Sequence, residues 1–167
     1  MVTSVTGAAV KGAGQLEGEW GEFGKAYTIF KESPLVFTLR DVEFARNPTV
    51  EMCKEELSPE SVNRFLIMRY TLHNPQKDDY KVTGNAIFIR FTVVDADGKN
   101  YEHYNYAAVE ADTSDLDNVK LKPGQKVNAF TVVEVPAKAS IHKLIVEPHS
   151  DAAVIRYDLR ERLSEKT

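Results

Sequence analysis

Residues Val62–Gln76 read VNRFLIMRYTLHNPQ. Leu66, Met68, Tyr70 and Leu72 share one parity, while Arg69 and Thr71 take the other. Successive side chains of an extended strand point to opposite faces, so this segment reads as a half-buried β-strand. Asn74-Pro75 stops it, because the residue before a proline is pushed out of helical geometry and Asn favours turns.

The same grammar extends in both directions. Leu35, Phe37 and Leu39 alternate with Val36, Thr38 and Arg40, after which Val42 and Phe44 continue on the opposite parity. One extra residue near Arg40-Asp41, a β-bulge, reconciles the two halves. Downstream, Ile87, Ile89, Phe91 and Val93 share a face, and Asp95-Ala96-Asp97-Gly98 turns the chain into Asn100–Tyr106, a hairpin signal. The second half holds a loop at Asp112–Asn118 and a turn at Lys122–Gln125. Strands follow at Val127–Val135, Lys143–Glu147 and Ala153–Asp158, the first two stopped by Pro136 and Pro148.

Two stretches suggest short helical turns: the connection Glu51–Arg64, where Ser58 precedes Pro59 and Glu60, and the charged tail from Leu159 to Thr167. Seven or eight short strands without alternating helices predict an all-β fold, an immunoglobulin-like antiparallel β-sandwich. Residues 1–18 hold four of the nine glycines and form an expected flexible lead-in. The sandwich spans 19–158 and the charged tail 159–167. Trp20, Phe23 and Tyr27, spaced among Gly21 and Gly24, are expected to lie over a core edge. The segment Glu19–Phe30, if extended, adds to a sheet edge of its own domain or of a neighbour, and Lys143 and Arg156 are candidate guards of exposed edges.

At 167 residues the chain is one domain by length and buries roughly two thirds of its unfolded surface without a staple. The 21 basic and 25 acidic residues give a net charge of −4. With no basic block there is no electrostatic footprint for nucleic acid. Unbroken runs of strongly apolar residues, such as Phe65–Met68, reach only four residues, whereas a membrane span needs about 20, so no membrane insertion is expected. The lone cysteine, Cys53, excludes an intrachain disulfide and a Cys-rich zinc site. The start of the chain has neither the basic nor the apolar region of a signal peptide, so export implies a signal removed before this numbering begins. The candidate sequon Asn47-Pro48-Thr49 carries the forbidden proline.

FLIMRYTLHNPQ at Phe65–Gln76, FTVVDADGKNY at Phe91–Tyr101 and LKPGQKVNAFTVVEVPAKASIHKLIVEP at Leu121–Pro148 together resemble the telokin-like, immunoglobulin-like domain-of-unknown-function family of bacterial secreted proteins and lipoproteins. The resemblance covers residues 35–157. It rests on Asn74, on the turn Asp95 to Gly98, on Leu121 to Gln125 and on Val135-Pro136, all structural. It implies an exported β-sandwich, extracellular or in the cell envelope, used for adhesion, display or protein contact. It carries over no site residues. The lipobox cysteine of lipoprotein members is absent, since Cys53 lies too far in.

The candidate chemistry is sparse. His73, His103, His142 and His149 form no His-x-His or His-x-x-x-His pair. His103 shares a strand face with Asn105, opposite Glu102, Tyr104 and Tyr106. His142 and His149 flank a strand that separates them by roughly 20 Å. Cys53 sits among Glu51, Glu55 and Glu56, a setting that disfavours the thiolate. Gly12-Ala13-Gly14 lacks the strand, third glycine and lysine of a phosphate loop. Glu110, Asp112, Asp115 and Asp117 make an oxygen-rich loop without EF-hand spacing. Tyr70, Tyr80, Tyr101, Tyr104 and Tyr106 are candidates for an exposed aromatic face. No catalytic, cofactor or metal residue is assigned.

The expected function is a non-enzymatic protein-interaction module without cofactor, monomeric or weakly dimeric, with another protein as partner. The alternative is a Ca or Zn or small-ligand accessory protein of the cell envelope, using His103, His142 or the acidic loop.

Overall fold

The computed structural model describes residues 20–30, 33–82, 89–102, 107–148 and 154–164. The expected lead-in, 1–18, and the expected strand residues 87–88, 103–106 and 153 lie outside these residues. The described strands are β1 (Ala26–Ile29), β2 (Leu35–Phe44), β3 (Val50–Met52), β4 (Glu55–Leu57), β5 (Asn63–His73), β6 (Tyr80–Lys81) and β7 (Ile89–Asp95). After them come β8 (Asn100–Tyr101), β9 (Ala107–Val109), β10 (Lys120–Leu121), β11 (Lys126–Pro136), β12 (Ile141–Pro148) and β13 (Ile155–Asp158), then helix α1 (Arg160–Ser164). A five-stranded sheet, β1-β2-β5-β11-β9, faces a four-stranded sheet, β13-β12-β7-β8; β3-β4 and β6-β10 are two-stranded ribbons. All the described pairings are antiparallel, so the fold is the expected all-β sandwich.

Long inner strands anchor the larger sheet: β5 and β11 pair from Lys126↔His73 to Pro136↔Asn63. Leu66, Met68, Tyr70 and Leu72 of β5 face the other sheet and are buried, as the alternation requires. The register between β2 and β5 shifts between Leu39 and Asp41, the bulge read from the parity switch. Phe37 and Tyr70 from the larger sheet meet Phe91 from the smaller one. Ring centroids lie 5.2 Å apart for Phe37–Tyr70, 5.1 Å for Tyr70–Phe91 and 6.2 Å for Phe37–Phe91.

The four-residue run Phe65–Met68 is buried on both faces. Phe65 and Ile67 point away from the main core into a second cluster with Met52, Ala108, Phe130 and Val132, against which Val50, Cys53 and Leu57 pack. That cover comes from residues expected to form a helical turn, and the expectation for Glu51–Leu57 is corrected here. They form a hairpin, Val50↔Leu57 to Met52↔Glu55, whose turn residues Cys53 and Lys54 have φ of 54° and 66°. The hairpin lays its apolar side chains on the outer sheet face and leaves Glu55 and Glu56 in water, which a helical turn here would not do for Val50, Met52 and Leu57 together. Pro59 starts no helix either: Glu134 accepts from the Glu60 amide at 2.9 Å and from Asn63 Nδ2 at 2.7 Å, steering the chain into β5.

The edges are short. β1 pairs with β2, Ala26↔Thr38 to Ile29↔Leu35, so the aromatic lead segment completes a sheet of its own domain. The Gly21 amide donates to the Arg156 carbonyl at 2.6 Å, and a Cβ at Gly21 would lie 2.8 Å from Ile155 Cγ2, so only glycine passes this close to β13. Trp20 lies over Arg156 at 5.7 Å. The proposed edge guards are therefore corrected: Lys143 sits on β12 between two neighbours, and Arg156 is buried under this covering. At the β7–β8 turn, Gly98 has φ 86°. Asp95 accepts from the amides of Asp97 and Lys99 and from the Tyr101 hydroxyl, each at 2.9 Å. The Lys99 amide is the chief cause holding its carboxyl below the usual range. Helix α1 forms in the expected tail, docked by the buried Leu163.

Candidate functional site

The residues singled out by type do not converge. His73 ends β5, half-buried, opposite Val36 and Lys126. His103 and His149 lie outside the described residues, as do Tyr104 and Tyr106. In the acidic loop, Asp112 accepts from the Ser114 amide and hydroxyl, and Asp115 caps a 3-10 turn by accepting from the Asp117 amide. Glu110 faces the outer sheet surface, bonded to Arg40 at 2.5 Å and 3.6 Å from Arg69. Among the described residues no group of three His, Cys, Asp or Glu side chains could hold a metal ion. Burial, and then Asp115, Asp117 and Glu55, push the Cys53 thiol up, as its acidic setting predicts.

Tyr70 and Tyr80 belong to the core, which corrects the exposed aromatic face. Strand parity places Tyr70 with Leu66 and Met68, where burial pushes its phenol up. Burial raises Tyr80 to about 12.

A recess with polar lining lies at one end of the sandwich, an open cleft of about 360 Å³ between the end of β2, the starts of β5 and β12, and α1. Phe44, Ala139, Ile141 and Leu163 supply apolar wall; Arg64, Ser140, His142, Arg160 and Ser164 supply the polar groups. Two arginines and a histidine line it with no carboxylate among the lining residues, in a chain of net charge −4.

Arg64 is the unusual member. It shares the parity of Leu66, Met68 and Tyr70, the core face, at the point where the sandwich ends. Its guanidinium carbon lies 3.4 Å from the centroid of the Phe44 ring. Its Nε is buried without a hydrogen-bond partner, and no ion pair joins it to an acid among the described residues. Burial holds its pKa below the usual arginine value, though an arginine remains charged at neutral pH. Stacking on an aromatic ring compensates part of the lost hydration. Arg160, in contrast, is engaged: its Nε and Nη2 reach Asp158 at 2.9 and 2.6 Å, leaving Nη1 outside the pair.

This arrangement suits the binding of an anion. A planar guanidinium held flat is pre-oriented for bidentate contact with an oxyanion. Ser140 Oγ and His142 Nε2 are 3.4 Å apart. Sequence reasoning missed Arg64; the signal available was a charge on the core parity of the deciding strand.

The family model for a domain of unknown function, DUF4352, matches residues 29–154. No curated protein matches the chain. An uncharacterised β-sandwich protein of Clostridium difficile 630 is similar in fold, with TM-score 0.54 and 16% identity over 83% of this chain and 91% of that one. The yjhA protein of Bacillus subtilis aligns with TM-score 0.43 and 20% identity, over 87% and 93% of the two chains. A conserved hypothetical protein of Bacillus anthracis aligns at 0.44 and 14%, over 80% and 94%. Matched over most of its length, this β-sandwich chain belongs to the family described as a domain of unknown function, DUF4352.

Proposed function

We propose that this chain is a non-enzymatic, exported module of immunoglobulin-like type that works by binding another protein, as an adhesion or scaffolding element. The observation that carries the reading is the cleft, where the charged Arg64 stacks on Phe44 and has no acidic partner among the described residues. A half-buried charge that only an aromatic ring compensates costs stability, and a partner's charge would offset that cost. The short edge strands support recognition through the cleft rather than by strand addition. The likeness of the turns to bacterial secreted domains supports export to the cell envelope or beyond. No described helix is long and apolar enough to cross a membrane.

Photo-crosslinkers placed at Ser140 and Ser164, in the full-length protein in the organism that encodes it, test this reading. A partner protein should be trapped outside the cytoplasm, in a yield that Arg64→Gln strongly reduces. A crosslinker at Lys122, at the opposite end of the sandwich, should trap none of it. Yields equal at both ends, yields unmoved by Arg64→Gln, or a cytoplasmic location would contradict the reading. A panel of esterase, phosphatase and peptidase substrates should show no turnover above background.

A further inference from the structure

We infer that the cleft receives one carboxylate of a partner polypeptide, bound in a fork across the edge of the Arg64 guanidinium. The inference deepens the reading above and rests on it.

Three features select this chemistry. First, a guanidinium lying on a ring presents its N–H groups in the plane that matches two carboxylate oxygens. Phe44 fixes that plane at 3.4 Å, so little side-chain freedom is lost on binding. Second, the charge in the cleft suits a monoanion. Arg160 is already neutralised by Asp158, leaving Arg64 as the lining arginine without an acidic partner among the described residues. The second charge of a dianion such as phosphate would find no second free arginine there, because Asp158 already takes Arg160. Third, Ile141, Leu163 and Phe44 give the recess apolar wall, suited to the aliphatic stem of an acidic side chain or the last side chain of a terminus. Ser140 and Nη1 of Arg160 stand at the same recess as further donors.

Nuclear magnetic resonance titration of the full chain tests the assignment with four probes at matched ionic strength. One peptide carries a single Glu between neutral residues and is capped at both ends. A second is neutral, acetylated, and has a free C-terminal carboxylate. A third is neutral and capped at both ends, and the fourth probe is inorganic phosphate. At least one carboxylate peptide should shift Phe44, Arg64 and His142 saturably; the first or second responding alone identifies a side chain or a terminus as the source. Arg64→Lys, which keeps the charge but loses the fork, and Arg64→Gln should both weaken binding at least about tenfold, in variants whose spectra remain those of the folded chain.

Binding of the capped neutral peptide equal to the others, saturation by phosphate at lower concentration than either carboxylate, or indifference to both substitutions would overturn the inference. A blank titration beside a persistent Arg64-dependent crosslink would overturn the carboxylate alone; loss of both would overturn the binding reading as well.

Discussion

Phe91→Ala is expected to lower the unfolding free energy by about 3–5 kcal/mol, the range for emptying a buried phenylalanine site. Phe91 is the smaller sheet's member of the aromatic trio and is 1% exposed. It stacks on Tyr70 at 5.1 Å and lies 6.2 Å from Phe37. The neighbours cannot readily collapse into the space. Tyr70 is fixed at its far end by a hydrogen bond of 2.9 Å between its hydroxyl and that of Thr131, and Phe37 is packed on Tyr70. Since small domains are stable by only about 5–15 kcal/mol, the urea midpoint should fall sharply. Phe91→Leu, which keeps most of the volume, should cost less than about 1.5 kcal/mol. A cost below about 1 kcal/mol for Phe91→Ala would mean that the two sheets are not joined through this trio.

Asn74→Ala should cost about 2–4 kcal/mol, because it strands several buried groups at once. Asn74 is fully buried. Its amide donates to the carbonyls of Asp78 at 2.8 Å and Leu121 at 3.0 Å, and its side-chain oxygen accepts from the Gln76 amide at 2.9 Å. Its backbone exchanges bonds with Gln125 and Gly124. One side chain thus ties the end of β5 to β10 and to the turn before β11. Equilibrium unfolding gives the cost, and hydrogen exchange should speed most at the Gln76 and Val82 amides. Asn74→Asp should be no better at neutral pH, since a carboxylate would face two carbonyl oxygens. Loss of less than about 0.5 kcal/mol would show that water replaces the amide without penalty.

Much of this fold was legible because strand parity is strict. The switch from Leu39 to Val42 marked the bulge, and the Asp-Gly turn marked the β7–β8 hairpin. The run Phe65–Met68 breaks alternation, and the structure gives the reason: β3 and β4 cover its outer face. That cover was not legible. Val50 and Leu57 are seven apart, a spacing that also fits one helix face, and the hairpin turns on Cys53-Lys54 instead of Asn-Gly. β9 escaped notice because three residues are too few for a periodic signal. The cleft was harder still. The position of Arg64 on the core parity could be read from sequence. Its meeting with Phe44, His142 and Arg160 depends on register, on the β12 start and on the docking of α1, none of which one strand's pattern encodes.

If Arg64 is held for a partner and not for the fold, the melting temperature of Arg64→Met should barely move. Methionine keeps the contact with Phe44 while removing a partly desolvated charge that has no acidic partner among the described residues. The expected melting temperature is within about 2 °C of the parent chain, or above it, since for a domain of this size 1 kcal/mol shifts the midpoint by about 2–4 °C. A fall of about 8 °C or more would show that the guanidinium is a structural keystone and not a group kept for a partner.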